Sequence, residues 1–165
     1  VAAAVDRPTR QLGAAPSGLA EALGTDGWKD VWTTGALGDL VVELADEADV
    51  RALTPDHTRL AALDADIPRG VIVTARAAAP DASGYDFVSR WFGTGVVVGE
   101  DPVTGSAHTA LAPLWAERLG VTELTGRQVS ARGGTVQVRL VGDRVLLSGR
   151  AVTVWDGTLA AAATP

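Results

Sequence analysis

Beyond Gly70 the apolar residues come in short runs separated by glycine or polar pairs, the pattern of strands rather than of helices. The runs are Val71–Ala75, Tyr85–Phe92, Val96–Val98, Arg127–Ala131, Val136–Leu140, Arg144–Leu147 and Ala151–Trp155. Gly133-Gly134 and Gly142-Asp143 are two-residue hairpin signals, so the last four runs are predicted to form a meander. One helical pattern interrupts them, from Ser106 to Leu119, with Leu111, Leu114, Trp115 and Leu119 on one face. Ala107, Ala110, Ala112 and Ala116 keep the remaining faces small, and charge appears only at the end, as Glu117 and Arg118. Such a helix can be buried nearly all round, with a kink expected at Pro113.

The first half of the chain is more mixed. Leu19–Leu23 reads as a short helix closed by Gly24, and Trp28–Thr34 and Asp39–Leu44 as neighbouring strands. Asp46 is a suitable N-cap for a helix from Glu47 to Leu53, and Pro55 opens a second one ending near Leu63. Residues 1–15 lack a sustained period and read as a linker or one irregular strand, residues 16–159 as one domain, and residues 160–165 as a flexible tail. The pattern predicts an α+β fold: seven or eight antiparallel strands in a twisted sheet wrapped around a central helix.

Composition narrows the chemistry. Fourteen basic against twenty acidic residues give a net charge of -6 and a pI near 4.8, which argues against a nucleic-acid partner. There is no cysteine, so acid–base work falls to carboxylates, tyrosine, or the two histidines, His57 and His108. Asp6, Arg7, Pro8 and Arg10 interrupt any signal-peptide core and no apolar run reaches membrane-spanning length, so a cytoplasmic protein without a membrane partner is expected. The acidic cluster Glu43–Asp49 reads as solvated surface, because a calcium loop would need a central glycine that is absent, and no metal site is expected.

The segment Gly99–His108 carries the strongest chemical signal, because a glycine-loosened loop with two carboxylates runs directly into the N-terminus of the apolar helix. Ser106 is the expected N-cap, Gly105 permits close approach of a ligand, and the free amides up to Ala107 suit an anion such as a carboxylate. Asp101, held before Pro102, is placed as a proton acceptor, as a hydrogen-bond acceptor for a substrate amine or hydroxyl, or as both. The plainer reading is that Asp101 and Ser106 only end a loop and cap a helix. The spacing from Gly99 to Gly105-Ser106 is wrong for a phosphate-binding P-loop, and its lysine is missing. His108 is a candidate ligand contact from the start of the helix, with a side chain packed against the sheet or pointing to water as its other reading. Arg90 is a candidate partner for a substrate carboxylate, with a structural bond to a loop carbonyl as its other role. The five tryptophans read as core or interface mass.

Four blocks resemble consecutive segments of the PhzF-like family: Tyr85-Asp86-Phe87-Val88-Ser89-Arg90-Trp91-Phe92, Glu100-Asp101-Pro102-Val103-Thr104-Gly105-Ser106-Ala107-His108, Leu111-Ala112-Pro113-Leu114-Trp115-Ala116 and Ser130-Ala131-Arg132-Gly133-Gly134. The resemblance implies a diaminopimelate epimerase-like fold, in which two similar domains each wrap a sheet around a helix and share a cleft. It implies that Asp101 is the active-site aspartate of the C-terminal domain, and that Gly105 and Ser106 hold a substrate carboxylate. The chemistry implied is cofactor-free proton transfer at carbon of a small carboxylate metabolite. The family's N-terminal domain, with its proton-shuttling glutamate in an Asn-Leu-Ser-Glu-type segment, has no counterpart in this sequence. The resemblance therefore implies an isomerase or epimerase half, active when complemented by a separate N-terminal-type domain, or else a homodimer through the same face. A non-catalytic binding or scaffold domain is the alternative.

Overall fold

A computed structural model describes residues 1–10, 15–63, 65–94 and 99–158. Ten strands form one sheet among them: β1 (Ala2–Ala4), β2 (Thr9–Arg10), β3 (Trp28–Thr33), β4 (Asp39–Leu44), β5 (Gly70–Arg76), β6 (Phe87–Gly93), β7 (Gly99–Asp101), β8 (Glu123–Gln128), β9 (Gly134–Val141) and β10 (Arg144–Ser148). The helices are α1 (Leu19–Leu23), α2 (Glu47–Ala52), α3 (His57–Ala61), α4 (Pro80–Ser83) and α5 (Ala107–Leu119). The strand order is β1-β10-β9-β8-β6-β5-β4-β3-β2, and β7 pairs with the end of β6 that β8 leaves free.

The sheet is mixed rather than wholly antiparallel. β4 runs parallel to β5 and β6 parallel to β8, because each pair is joined by a crossover. The first passes through α2 and α3 on one face of the sheet and the second through α5 on the other. Central strands are thereby covered on both sides, and all six residues of β4 are buried. Leu40, Val42, Val71 and Val73 pack towards α1 to α3, while Val41, Ile72 and Trp91 pack towards α5. This period-two division puts the side chains of adjacent residues into different cores.

α5 is buried from Ala107 through Ala116, as its composition predicts. Trp115 stacks on Phe87 with ring centroids 5.8 Å apart and 7° between planes, and its indole N–H donates to Thr74 Oγ1 at 3.0 Å. The helix continues through Pro113, whose missing N–H would have bonded the carbonyl of Thr109. The backbone N–H of Asp6 donates to that carbonyl instead, at 3.2 Å. The opening segment is thus tied to the helix as well as to the sheet, where β1 pairs with β10 and the Val1 amine donates to Leu147 O.

β1 occupies the edge of β10 that the sequence pattern assigns to Ala151–Trp155. That run is not a strand; Val152, Val154 and Trp155 are 85%, 92% and 78% exposed. Two further expectations differ from the structure. The strand expected at Arg127–Ala131 lies earlier, as β8, because its inward positions are Leu124, Gly126 and Gln128, only one of them a bulky apolar residue. Glu43 and Glu47, expected in water, are buried: Glu43 pairs with Arg118 at 2.7 Å, and Glu47 accepts from Tyr85 Oη and the Ala78 amide. Val96–Val98 and the tail at 160–165 lie outside the described residues.

Candidate functional site

Asp101 ends β7 opposite Trp91 of β6, and the chain then crosses Pro102 to Ser106 into α5. Hydrogen bonds at nearly every residue hold this crossing in place. Gln128, fully buried on β8, donates to the carbonyl of Asp101 at 2.6 Å, while its Oε1 accepts from the Thr104 amide at 2.7 Å. Ser130 Oγ donates to the Pro102 carbonyl at 2.7 Å. Thr104 Oγ1 donates to Asp101 Oδ2 at 2.5 Å, orienting the carboxylate from within its own loop. Gly134 completes the seat, since a Cβ there would lie 2.3 Å from Val103 Cγ2.

Asp101, Gly105 and Ser106 line one cavity of about 510 Å³ together with Pro68, Arg69, Trp91 and Thr104. Ser106 stands at the N-cap position but its side chain caps nothing, because its backbone is already helical and Oγ accepts instead from Arg69 Nη2. Among the described residues, the amides of Gly105, Ser106 and Ala107 donate to no protein acceptor. The Ala107 side chain is buried, leaving only its backbone to offer a ligand.

Two expected site residues stand away from this cavity. His108 is fully buried; its Nδ1–H donates to the Thr104 carbonyl at 2.8 Å and its ring lies 5.9 Å from that of Phe87. It fastens the loop from behind. Gly126 makes room for it, since a Cβ there would lie 2.9 Å from His108 Nε2 and 2.6 Å from Phe87 Cζ. Arg90 is on the opposite face of β6 from Trp91, because neighbours on a strand alternate. There it forms a two-pronged pair with Glu100 at 2.7 and 2.9 Å and donates to the carbonyl of Leu53 at the end of α2. That is the loop-carbonyl role, on the face of β6 away from the cavity.

Among the described residues the cation in the cavity wall is Arg69, which the sequence pattern does not single out. Its Nη1 pairs with Asp39 Oδ2, and its guanidinium lies 5.3 Å from the Trp91 ring centroid. The other oxygen of Asp39 accepts from Trp91 Nε1 at 3.1 Å. Pro68 and Arg69 precede β5 as an ordinary turn, and only the fold brings them beside Ser106. Gln128 was legible as a polar residue in a strand, but not as a buried one.

Burial raises the Asp39 carboxyl to about 6 from 3.8; Arg69 and the Trp91 N–H oppose the rise and Asp6 adds to it. Burial lowers His108, partly offset by its bond to the Thr104 carbonyl. The two act on stability in opposite directions. Asp39 binds its proton more tightly when folded, so its contribution is greatest below about 3.8, declines as pH rises, and levels off above about 6, a change of about 3 kcal/mol. His108 holds its proton less tightly when folded, so its contribution is complete above 6.5 and is lost as pH falls. Urea unfolding at stepped pH should show that acidification from 7 to 4 shifts stability more favourably in His108→Gln than in the parent chain, because the loss from His108 is removed. Equal slopes in both would mean that His108 is not buried in its neutral form.

The chain matches the family model described as phenazine biosynthesis-like protein over residues 5–157. It is 48% identical over 146 residues to an uncharacterized isomerase of Pseudomonas aeruginosa, covering 88% of this chain and 52% of that protein. A PhzF-family crystal structure from Enterococcus faecalis superposes with a TM-score of 0.78 at 38% identity, covering 90% of this chain and 52% of the other. A structure of a PhzC/PhzF protein from Clostridium difficile gives 0.80 at 32% identity, covering 96% and 56%. The chain spans about half the length of the relatives it matches. Among the described residues no helix is long and apolar enough to cross a membrane. Family model, sequence relative and superposed structures agree over almost the whole chain, which therefore belongs to the phenazine biosynthesis-like PhzC/PhzF family.

Proposed function

We propose that this chain supplies one wall of an isomerase active site that moves a proton at a carbon atom of a small carboxylate, without a cofactor. The reading is carried by the convergence of Asp101, Gly105 and Ser106 on one cavity. A carboxylate seated on the amides of Gly105 to Ala107, at the positive end of α5, would present its neighbouring carbon to Asp101. Asp101 holds a substrate amine or hydroxyl or relays the proton, its free oxygen available because Thr104 engages only Oδ2. The name of the Pseudomonas relative as an isomerase favours this chemistry.

The second acid–base group is assigned to a partner half, because such a transfer needs groups on two sides of the carbon and Asp101 is on one. The exposed alternation Val152, Val154, Trp155 favours such a partner, being apolar surface that an isolated domain rarely leaves bare. A homodimer through the same mouth is the other assembly. Solvent-deuterium incorporation into candidate carboxylates, with and without the complementary half of a longer relative, tests the activity. Exchange should appear only in the mixture. Exchange by the chain alone, sedimenting as a monomer, would refute the two-sided site. Complementation should also shield Trp155 from acrylamide quenching, and unchanged quenching in an active mixture would show that 151–155 is no part of the interface.

A purely binding or scaffold role is the second reading, and it is favoured if the mixture forms but exchanges nothing.

A further inference from the structure

We infer that Arg69 makes the cavity selective for a ligand bearing an ionised carboxylate, and that Asp39 and Trp91 are the positioning residues that hold its guanidinium beside Ser106. The inference rests on the carboxylate reading above and adds the residue that discriminates charge. A helix N-terminus by itself attracts anions only weakly and accepts neutral acceptors as well. A guanidinium differs, since it is a permanent charge with five donors in a plane.

The setting of Arg69 is built rather than incidental. The Asp39 side chain is 0% exposed and that of Arg69 32%, so the pair is sealed on the Asp39 side and open on the other. Trp91 serves both partners, with its ring face towards Arg69 and its N–H on Asp39. Gly70, next in sequence to Arg69, lets that indole lie flat against the backbone: a Cβ there would sit 2.5 Å from Trp91 Cζ2 and 2.7 Å from Phe92 O. Asp39 is itself anchored, its amide donating to Thr34 Oγ1 at 2.7 Å. Among the described residues Asp39 and Ser106 each take one terminal nitrogen of Arg69, leaving further donors on the cavity wall. The Ser106 hydroxyl, withheld from its own helix, links the guanidinium to the free amides of α5. An incoming carboxylate at those amides meets Arg69 through one shared neighbour, and exchanging Ser106 for a charged acceptor strengthens the bond.

The test uses the 165-residue chain and two probes of nearly the same shape, benzoate and benzamide, followed by the amide resonances of Gly105 to Ala107. The parent chain should bind benzoate roughly tenfold or more tightly than benzamide, the scale of one charge-assisted hydrogen bond. Arg69→Gln should abolish that preference by weakening benzoate alone. Arg69→Lys should keep part of it, because the charge remains without the fork. Asp39→Asn should weaken benzoate by a smaller factor and leave benzamide unchanged, an effect on charge recognition that a merely structural defect would not single out. If Arg69→Gln retains the preference, the inference fails while the carboxylate pocket stands. If the parent chain binds the two probes equally, both fail. Should Arg69→Gln not fold, Arg69→Lys decides, and an unaltered ratio in it overturns the proposal.

Discussion

Asp101→Asn should lower solvent-deuterium incorporation by the complemented protein by roughly 10²- to 10⁴-fold, the contribution of one positioned acid–base group. The substitution removes the charge and keeps an oxygen that can accept from Thr104 Oγ1, and the Gln128 bond to the Asp101 carbonyl is untouched. The loop should therefore keep its course, and the loss should fall on turnover rather than on folding or assembly. Circular dichroism and sedimentation of the variant supply the control. Undiminished exchange by a folded Asp101→Asn complex would remove Asp101 from the chemistry and return it to the plainer role of ending a loop. Ser106→Ala separates the two functions of the cavity, since it takes away the hydroxyl held by Arg69 and leaves the carboxylate of Asp101 in place.

Trp115→Ala should destabilise the chain by about 3–5 kcal/mol, a large part of the stability of an ordinary domain. Trp115 is only 2% exposed and joins three elements: α5 carries it, Phe87 of β6 stacks on it, and Thr74 of β5 accepts from its indole. Thr74 Oγ1 donates onward to the Val88 carbonyl at 2.7 Å, so the truncation also breaks a buried relay. Trp115→Phe retains an aromatic ring against Phe87 and loses the hydrogen bond, and a cost of roughly 1–2 kcal/mol is expected. Urea midpoints at one pH measure both. Equal losses for the two variants would show that the hydrogen bond and not the packing holds α5 in the sheet, reversing the expected order of the two contributions.

The lining of the candidate cavity was partly legible because three of its residues are neighbours in sequence. Asp101, Gly105 and Ser106 fall within one short loop, and a carboxylate, a glycine and a hydroxyl before an apolar helix describe an anion-binding turn in any fold. Ser106 as a cap failed for a non-local reason, namely that Arg69, far off along the chain, takes its hydroxyl. Arg90 lies in the Tyr85–Phe92 run that leads towards the loop. Alternation along β6 turns it to the other face, and the arginine that reaches the cavity comes from the turn before β5. His108 kept its place at the start of α5 but turned inward, where burial makes it a fastener of Thr104.

What the amino-acid order determined by itself is the burial of α5 and the longer elements with a clear pattern, for these depend on periods of two and 3.6 and on the absence of charge along Ala107 to Ala116, while β1, β2, β7 and α4 are too short to carry one. Turn chemistry was readable at Gly142-Asp143, which joins β9 to β10 as a two-residue hairpin, whereas β8 reaches β9 through residues 129–133 and Gly134 is already the first residue of β9, opposite Gln128. The pairing of strands was not readable, because a strand carries the same alternation whichever neighbour it meets. Only the packed structure decided that β1 and not Ala151–Trp155 covers β10, that two crossovers make the sheet mixed, and that Asp39, Trp91 and Arg69 meet Ser106. Those outcomes depend on which distant backbone groups satisfy one another's hydrogen bonds and which charges are buried together, and neither is a property of any single stretch of chain.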